Sequence, residues 1–397
     1  LAACSDGLRP FSVISFQFSA AEYVGLLSVV AQCGSPALRL AMSCDWYAKM
    51  TKRRKIVVAL LAFSALAVIL TTLGCASMQK WLDRSGLEDY AAEFETKPIV
   101  ADHPTSPKSL EDLDARTSPA QVEIKVGGIP PFEVDGAEFS EAWRFASAIS
   151  DNPAVATATS FVFRHGKIGE HPVVLWLPGN GFGPLAYPLV GHFYDKIYDA
   201  GYDLLVWVPP FHVNRVDALD SGILGVNTSQ NIHVLLESVR EIRTVMAELR
   251  RNGVKRIGGW GGSMGAAILW LVSAVEPMDH MSLMIPVLDW RTITLDPPEM
   301  AGLTRKIEAS GITRQELSEA YRWISPISYP TKTKPDRIQI QLGEYDQLNP
   351  EEFVRQFAQD RGIDDVTGYD RSHATILLTP SLYEDYRLFL KRIAPRK

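Results

Sequence analysis

Hydrophobic and polar positions change rhythm twice along the chain. Residues 56–73 run without a charge, mostly Ala, Leu, Val and Ile, directly after the basic cluster Lys52-Arg53-Arg54-Lys55. From residue 76 to about 118 the chain is polar and irregular. One short helix is expected there, over 81–94, followed by the turn chemistry of Asp102-His103-Pro104-Thr105-Ser106-Pro107. From about Thr157 apolar runs alternate with helical stripes. Strands are expected at 160–164, 172–177, 203–208, 254–260, 282–287, 337–342 and 365–369. Pro172-Val173-Val174-Leu175-Trp176-Leu177 has no polar position, as a strand covered on both faces requires.

Helices are expected between these runs. The longest spans about 229–252, and its stripe of Ile232, Leu235, Val239, Ile242, Met246 and Leu249 falls on one helical face. Thr228 or Ser229 is expected to cap its start and Gly253 its end. Shorter helices are expected at 187–198 and 264–274, and others open at Asn349-Pro350 and Thr379-Pro380. This alternation predicts an α/β domain, a mostly parallel sheet with helices on both faces. The domain is expected over 121–397, after a polar linker at 76–120, with an insertion at about 291–329.

Composition narrows the function classes. The 397 residues carry 40 basic and 46 acidic side chains, a net −6, and are 46% hydrophobic. These values exclude a collagen, a disordered tail and a multi-span membrane protein, and speak against a nucleic-acid partner. The charge is uneven. Residues 1–74 hold seven Lys/Arg and three Asp/Glu, a net +4, so the remaining 33 basic and 43 acidic residues give −10. Cys4, Cys33, Cys44 and Cys75 also crowd the front, without the spacing of a metal site or a disulfide framework.

A basic cluster, an apolar run and small residues in sequence make a secretory signal over 50–75. Three outcomes are open. Leu73-Gly74-Cys75 resembles a bacterial lipobox, in which Cys75 takes a lipid and becomes the mature N-terminus, although Thr72 stands where Leu is usual. Gly74-Cys75-Ala76 alternatively offers a small-x-small cleavage site that releases a periplasmic protein. The apolar run is also just long enough to stay as an anchor. The lipoprotein is the preferred reading, with the membrane met through the N-terminus. Met50 sits where an initiator belongs, so residues 1–49 are expected to precede the true start.

The chemistry lies further on. Gly261-Gly262-Ser263-Met264-Gly265 matches G-x-S-x-G between an expected strand and an expected helix, the setting of a nucleophile elbow. A serine needs a base. His373, in the loop after the last strand, is the candidate; His103, His165, His171, His192, His212, His233 and His280 lie in the linker, on a helix or out of order. Asp346, after the strand at 337–342, is the expected orienting acid, ahead of Glu344 and Asp289. Backbone N–H groups of Met264 and of Asn180 or Gly181 are the expected oxyanion donors, with glycines at 179 and 181 allowing close approach.

Ser263, Asp346 and His373, in this order, resemble the alpha/beta-hydrolase superfamily over about 157–394. Gly179-Asn180-Gly181, Gly262-Ser263-Met264-Gly265 and Pro286-Val287-Leu288-Asp289-Trp290 are similar to the group called alpha/beta-hydrolase domain-containing protein eighteen. The resemblance implies a serine hydrolase with that triad, acting on esters, thioesters, amides or lipids, with no metal or organic cofactor. The usual His-Gly of the oxyanion loop is Pro178-Gly179 here, which bears on substrate choice. The insertion sits where the superfamily often places a cap. Phe182, Phe211 and Trp290 are either acyl-pocket or ordinary core aromatics. The expected function is a cell-envelope serine hydrolase cleaving a small-molecule or lipid ester. A peptidase, an acyltransferase and a non-catalytic binding lipoprotein are the alternatives.

Overall fold

The computed structural model describes residues 75–95, 97, 99, 102–149, 155–180, 191–213, 215 and 227–394. The expected upstream extension at 1–49 and the signal up to residue 74 lie outside the described residues. So do 181–190, which contain Gly181, Phe182 and the start of the helix expected at 187–198.

In chain order the elements are α1 (Ala76–Glu95), α2 (Leu110–Arg116), β1 (Lys125–Val126), β2 (Phe139–Ala146), β3 (Thr157–Arg164), β4 (Val173–Leu177), α3 (Gly191–Asp199), β5 (Asp203–Val208), α4 (Thr228–Arg251), β6 (Ile257–Gly262), α5 (Met264–Val275), β7 (Met281–Met284), α6 (Arg291–Thr294), α7 (Ala301–Ala309), α8 (Arg314–Arg322), β8 (Ile338–Gly343), α9 (Glu351–Asp360), β9 (Asp365–Tyr369) and α10 (Pro380–Ile393). The described strands form one sheet in the order β1-β2-β3-β5-β4-β6-β7-β8-β9. From β5 to β9 neighbouring strands are parallel, and β1, β2 and β3 add an antiparallel edge. The edge strands β1 and β2 were not anticipated from the pattern. Ser140, Glu141 and Arg144 interrupt the apolar positions of β2, because only part of that strand is buried.

Side chains alternate across the sheet with period two. Val173, Leu175 and Leu177 of β4 join one core with α4 and α5. Val174 and Trp176 join the other with α3 and α10. Both faces are thus covered by helices, which is why the strand shows no polar position. In α4 every member of the expected stripe is buried. Its cap is Asn227 rather than Thr228 or Ser229: the Asn227 Oδ1 accepts from Gln230 N at 3.0 Å. The helix ends at Asn252, followed by Gly253 at φ +87°.

The segment expected to be a polar linker holds two helices fastened to the body. α1 is 20 residues long, against the short helix expected over 81–94. Its buried positions include Gln79, Asp83, Leu87, Tyr90 and Ala91. Two of these are polar, so the helix shows no apolar stripe. α2 is capped by Ser109, whose side chain accepts from Asp112 N. Arg243 of α4 donates to Asp114 Oδ1 at 2.7 Å and to Thr117 Oγ1 at 2.9 Å, tying this segment down.

The insertion after Trp290 forms α6, α7 and α8. Thr313 and Glu316 make a reciprocal capping box at the start of α8. Met300, Leu303, Ile307 and Leu317 pack into the main core. The turn at Pro298–Met300 and α7 lie against α1.

Candidate active site

β6 ends at Gly262, and Ser263 makes the turn into α5. Its backbone is at φ 50°, ψ −115°, outside the ordinary regions for an L-residue. Such a conformation costs about 1–3 kcal/mol and persists only where its surroundings enforce it. Ser263 N donates to Met284 O at 2.9 Å, and Ser263 O accepts from Ala266 N, Ala267 N and Val287 N. Glycine is required on both sides. A Cβ on Gly261 would lie 2.7 Å from Ala266 Cα, and one on Gly265 would lie 2.0 Å from Leu177 O. Both clashes are with backbone, which cannot yield as a flexible side chain does.

β4 runs beside β6, with Leu177 paired to Gly261. The loop leaving β4 therefore emerges against the serine. A Cβ on Gly179 would come 3.1 Å from Ser263 Cβ. Asn180 follows, half-buried. The first N–H groups of α5, beginning with Met264, have no acceptor within their own helix. Of the expected oxyanion donors, Met264 directly follows Ser263 and Asn180 follows Gly179 in the loop that approaches it, while Gly181 lies outside the described residues.

The expected base and acid follow later strands of the sheet. Asp346 follows β8 and His373 follows β9. Ser263 Oγ is 2.8 Å from His373 Nε2, and His373 Nδ1 is 2.8 Å from Asp346 Oδ2. A carboxylate only accepts, so Nδ1 carries the hydrogen and Nε2 is left to accept the serine O–H. Asp346 Oδ1 accepts from Leu348 N at 2.8 Å and Asn349 N at 2.9 Å, which fixes the carboxylate. Ser263 is half-buried, whereas Asp346 and His373 are buried. Burial opposes the charged imidazolium, but the Asp346 carboxylate, its hydrogen bond and a second carboxylate at Asp83 outweigh it. The His373 pKa is raised.

The competitors are placed elsewhere. Asp289 is held by Arg291 and accepts from Ser325. Glu344 faces Asp370, with its pKa raised by burial and by that neighbour. His165 lies within 3.0 Å of Asp203, and His212 donates to Pro210 O. His233 is exposed and donates to Ala148 O. Phe211 and Trp290 pack in the main core, and Phe182 lies outside the described residues.

Two residues at this site escape a reading of the sequence. Asp83 of α1 accepts from Gln347 N, His373 N and Ala374 N at 3.0–3.1 Å. One turn earlier, Gln79 Oε1 accepts from Ser372 N, and its Nε2 donates to Asp370 O. The only signal available was an acid and an amide spaced i, i+4 in a polar stretch, which is indistinguishable from a solvated helix face.

No protein-family model matches the sequence, and no curated protein matches it. Solved structures do resemble it. Acetyl xylan esterase 1 from Thermoanaerobacterium sp. is 17% identical with a TM-score of 0.51, covering 77% of this chain and 98% of its own. An acetyl xylan esterase from Paenibacillus sp. is 15% identical with a TM-score of 0.49, covering 78% and 98%. The acylaminoacyl peptidase of Pyrococcus horikoshii is 15% identical with a TM-score of 0.44, covering 63% and 40%. The likeness to the first, with the strand order above, is one of fold: the chain has the alpha/beta-hydrolase fold.

Proposed function

We propose that the protein is a serine hydrolase that cleaves a carboxylic ester through an acyl-enzyme. The observation that carries this reading is the continuous hydrogen-bonded line from Ser263 Oγ through His373 to Asp346, starting at a serine in strained backbone. Ser263 Oγ attacks the carbonyl carbon while its proton passes to His373 Nε2. Asp346 holds the imidazole in the required tautomer and stabilises the imidazolium. The oxyanion forms beside the Met264 N–H and the loop at Asn180. His373 then protonates the leaving alkoxide, and the C–O bond breaks. Water adds to the acyl-enzyme by the same route in reverse, releasing the acid and restoring the Ser263 proton.

Backbone oxyanion donors beside Ser263 suit an acyl carbonyl. The motifs that resemble those of the group named eighteen support the same chemistry. Assay with p-nitrophenyl esters from acetate to octanoate tests the reading. Hydrolysis by the wild type is expected, with kcat in Ser263→Ala lower by about 10⁵–10⁶. Equal hydrolysis by Ser263→Ala would refute it.

We propose separately, from the basic cluster, the apolar run and Leu73-Gly74-Cys75, that the enzyme sits in the cell envelope, tethered by a lipid on Cys75. Cys75 is an exposed free thiol immediately before α1. Incorporation of a clickable fatty acid is expected in the full chain and is lost in Cys75→Ser. Equal labelling of both would remove Cys75 from this role.

A further inference from the structure

Backbone N–H groups at Gln347, Ser372, His373 and Ala374 lie in the two loops that carry the acid and the base. They belong to no strand or helix of those loops, so each needs an acceptor. All four find one on a single helix, α1, at Gln79 and Asp83. These partners are 264 to 293 residues away in the chain. Gln79 also accepts from Thr375 Oγ1 at 2.6 Å.

A neutral acceptor would suffice for a mere tie. Asp83 is a carboxylate, and it is buried. The charges that face it are Asp346 on the loop after β8 and His373 on the loop after β9. Burial first, and then the Asp346 charge, push its carboxyl up to about 6, against the pull of His373 and of the N–H groups it accepts from. Its ionised form in turn favours the imidazolium at His373. That imidazolium is the form His373 takes when Ser263 attacks, so the charge acts where the reaction develops it.

Resting on the serine-hydrolase reading, we infer that α1 is a working part of the active site, with Asp83 and Gln79 as positioning residues. Together they hold the loops of His373 and Asp346, and Asp83 adds a second carboxylate, bonded to the backbone N–H of His373. The segment that follows the expected lipid-bearing cysteine is then required for turnover, not only for attachment.

The test uses the full chain as wild type, Asp83→Asn, Gln79→Ala and Ser263→Ala. Three quantities are read: the fluorophosphonate labelling rate against pH, the melting temperature, and the titration midpoint of His373 by NMR of ¹³C-labelled histidine. In Asp83→Asn labelling is expected to slow by about 10- to 100-fold, with KM for p-nitrophenyl acetate within about twofold of wild type. The acid limb and the His373 midpoint are expected to move together to lower pH, because a negative charge beside the imidazole is gone. A wild-type labelling rate with an unmoved His373 midpoint overturns the inference. So does a slower rate that tracks a fallen melting temperature while the midpoint stays put. Should Asp83→Asn fail to fold, Gln79→Ala decides: slower labelling with KM and melting little changed supports the role, and a wild-type rate removes it. Failure of the hydrolase reading is distinct, since the wild type then takes no label or Ser263→Ala takes as much. The His373 midpoint still reports on Asp83 in that case.

Discussion

The two halves of the site are built in different ways. The serine half is local. Ser263, Gly261, Gly265 and Gly179 sit within one strand end, one turn and the neighbouring loop, and backbone sterics dictate glycine at 261 and 265. The acid–base half is assembled from three remote segments, α1, the loop after β8 and the loop after β9, joined by hydrogen bonds. A local half announces itself in the sequence, because backbone approach forbids side chains at fixed spacings. The ties of α1 to the other half are made by polar groups whose partners are hundreds of residues away, and no spacing records them.

The contrast can be broken by substitution. Ser263→Ala removes the nucleophile, and the loss of about 10⁵–10⁶ in kcat expected above is the largest effect. Asp346→Asn leaves Oδ1 or its equivalent near Leu348 N and Asn349 N but removes the acceptor that fixes the His373 tautomer. A fall in kcat of about 10⁴ is expected, measured with the same ester. A fall of less than about tenfold would place the orienting acid elsewhere.

Gly265→Ala tests the local half by stability. The new Cβ has no room against Leu177 O, so the elbow and the β4 loop must part. Urea denaturation is expected to register a loss of about 3 kcal/mol, with little or no labelling of the serine. Wild-type stability would mean that the close approach is not enforced. The pH dependence tests the remote half. His373 must be neutral to act as base, and its pKa is raised by Asp346 and Asp83 against the effect of burial. Activity should therefore fall as pH drops through a midpoint above the free-imidazole value of about 6.5. A midpoint below that value would contradict the placement of both carboxylates. The smallest effect is expected away from the site. Asn227→Ala removes the α4 cap and should cost about 1 kcal/mol in denaturation, with kcat unchanged.

Much of the fold was legible. Continuous apolar runs marked β4 and β5 because both faces of each are covered, and the 3–4 stripe marked α4 because one face is. β5 and β9 have the expected bounds. The antiparallel edge was not legible, since β2 is only partly buried and its polar residues blur the alternation. The order of Ser263, Asp346 and His373 pointed to residues the structure brings together. α1 was legible only in part, as the short helix expected over 81–94; its first turn and its docking were hidden. Its contacts with the loops that carry Asp346 and His373 are made by Gln79 and Asp83, so hydropathy reads it as linker.

The account stands or falls on whether Ser263 is an activated nucleophile. The most direct measurement treats the full chain with a fluorophosphonate and locates the adduct by peptide mass spectrometry. The account predicts a single adduct on Ser263, absent from Ser263→Ala and formed far more slowly in His373→Ala. No adduct on the wild type, or one on another residue at the same rate in all three proteins, would contradict it.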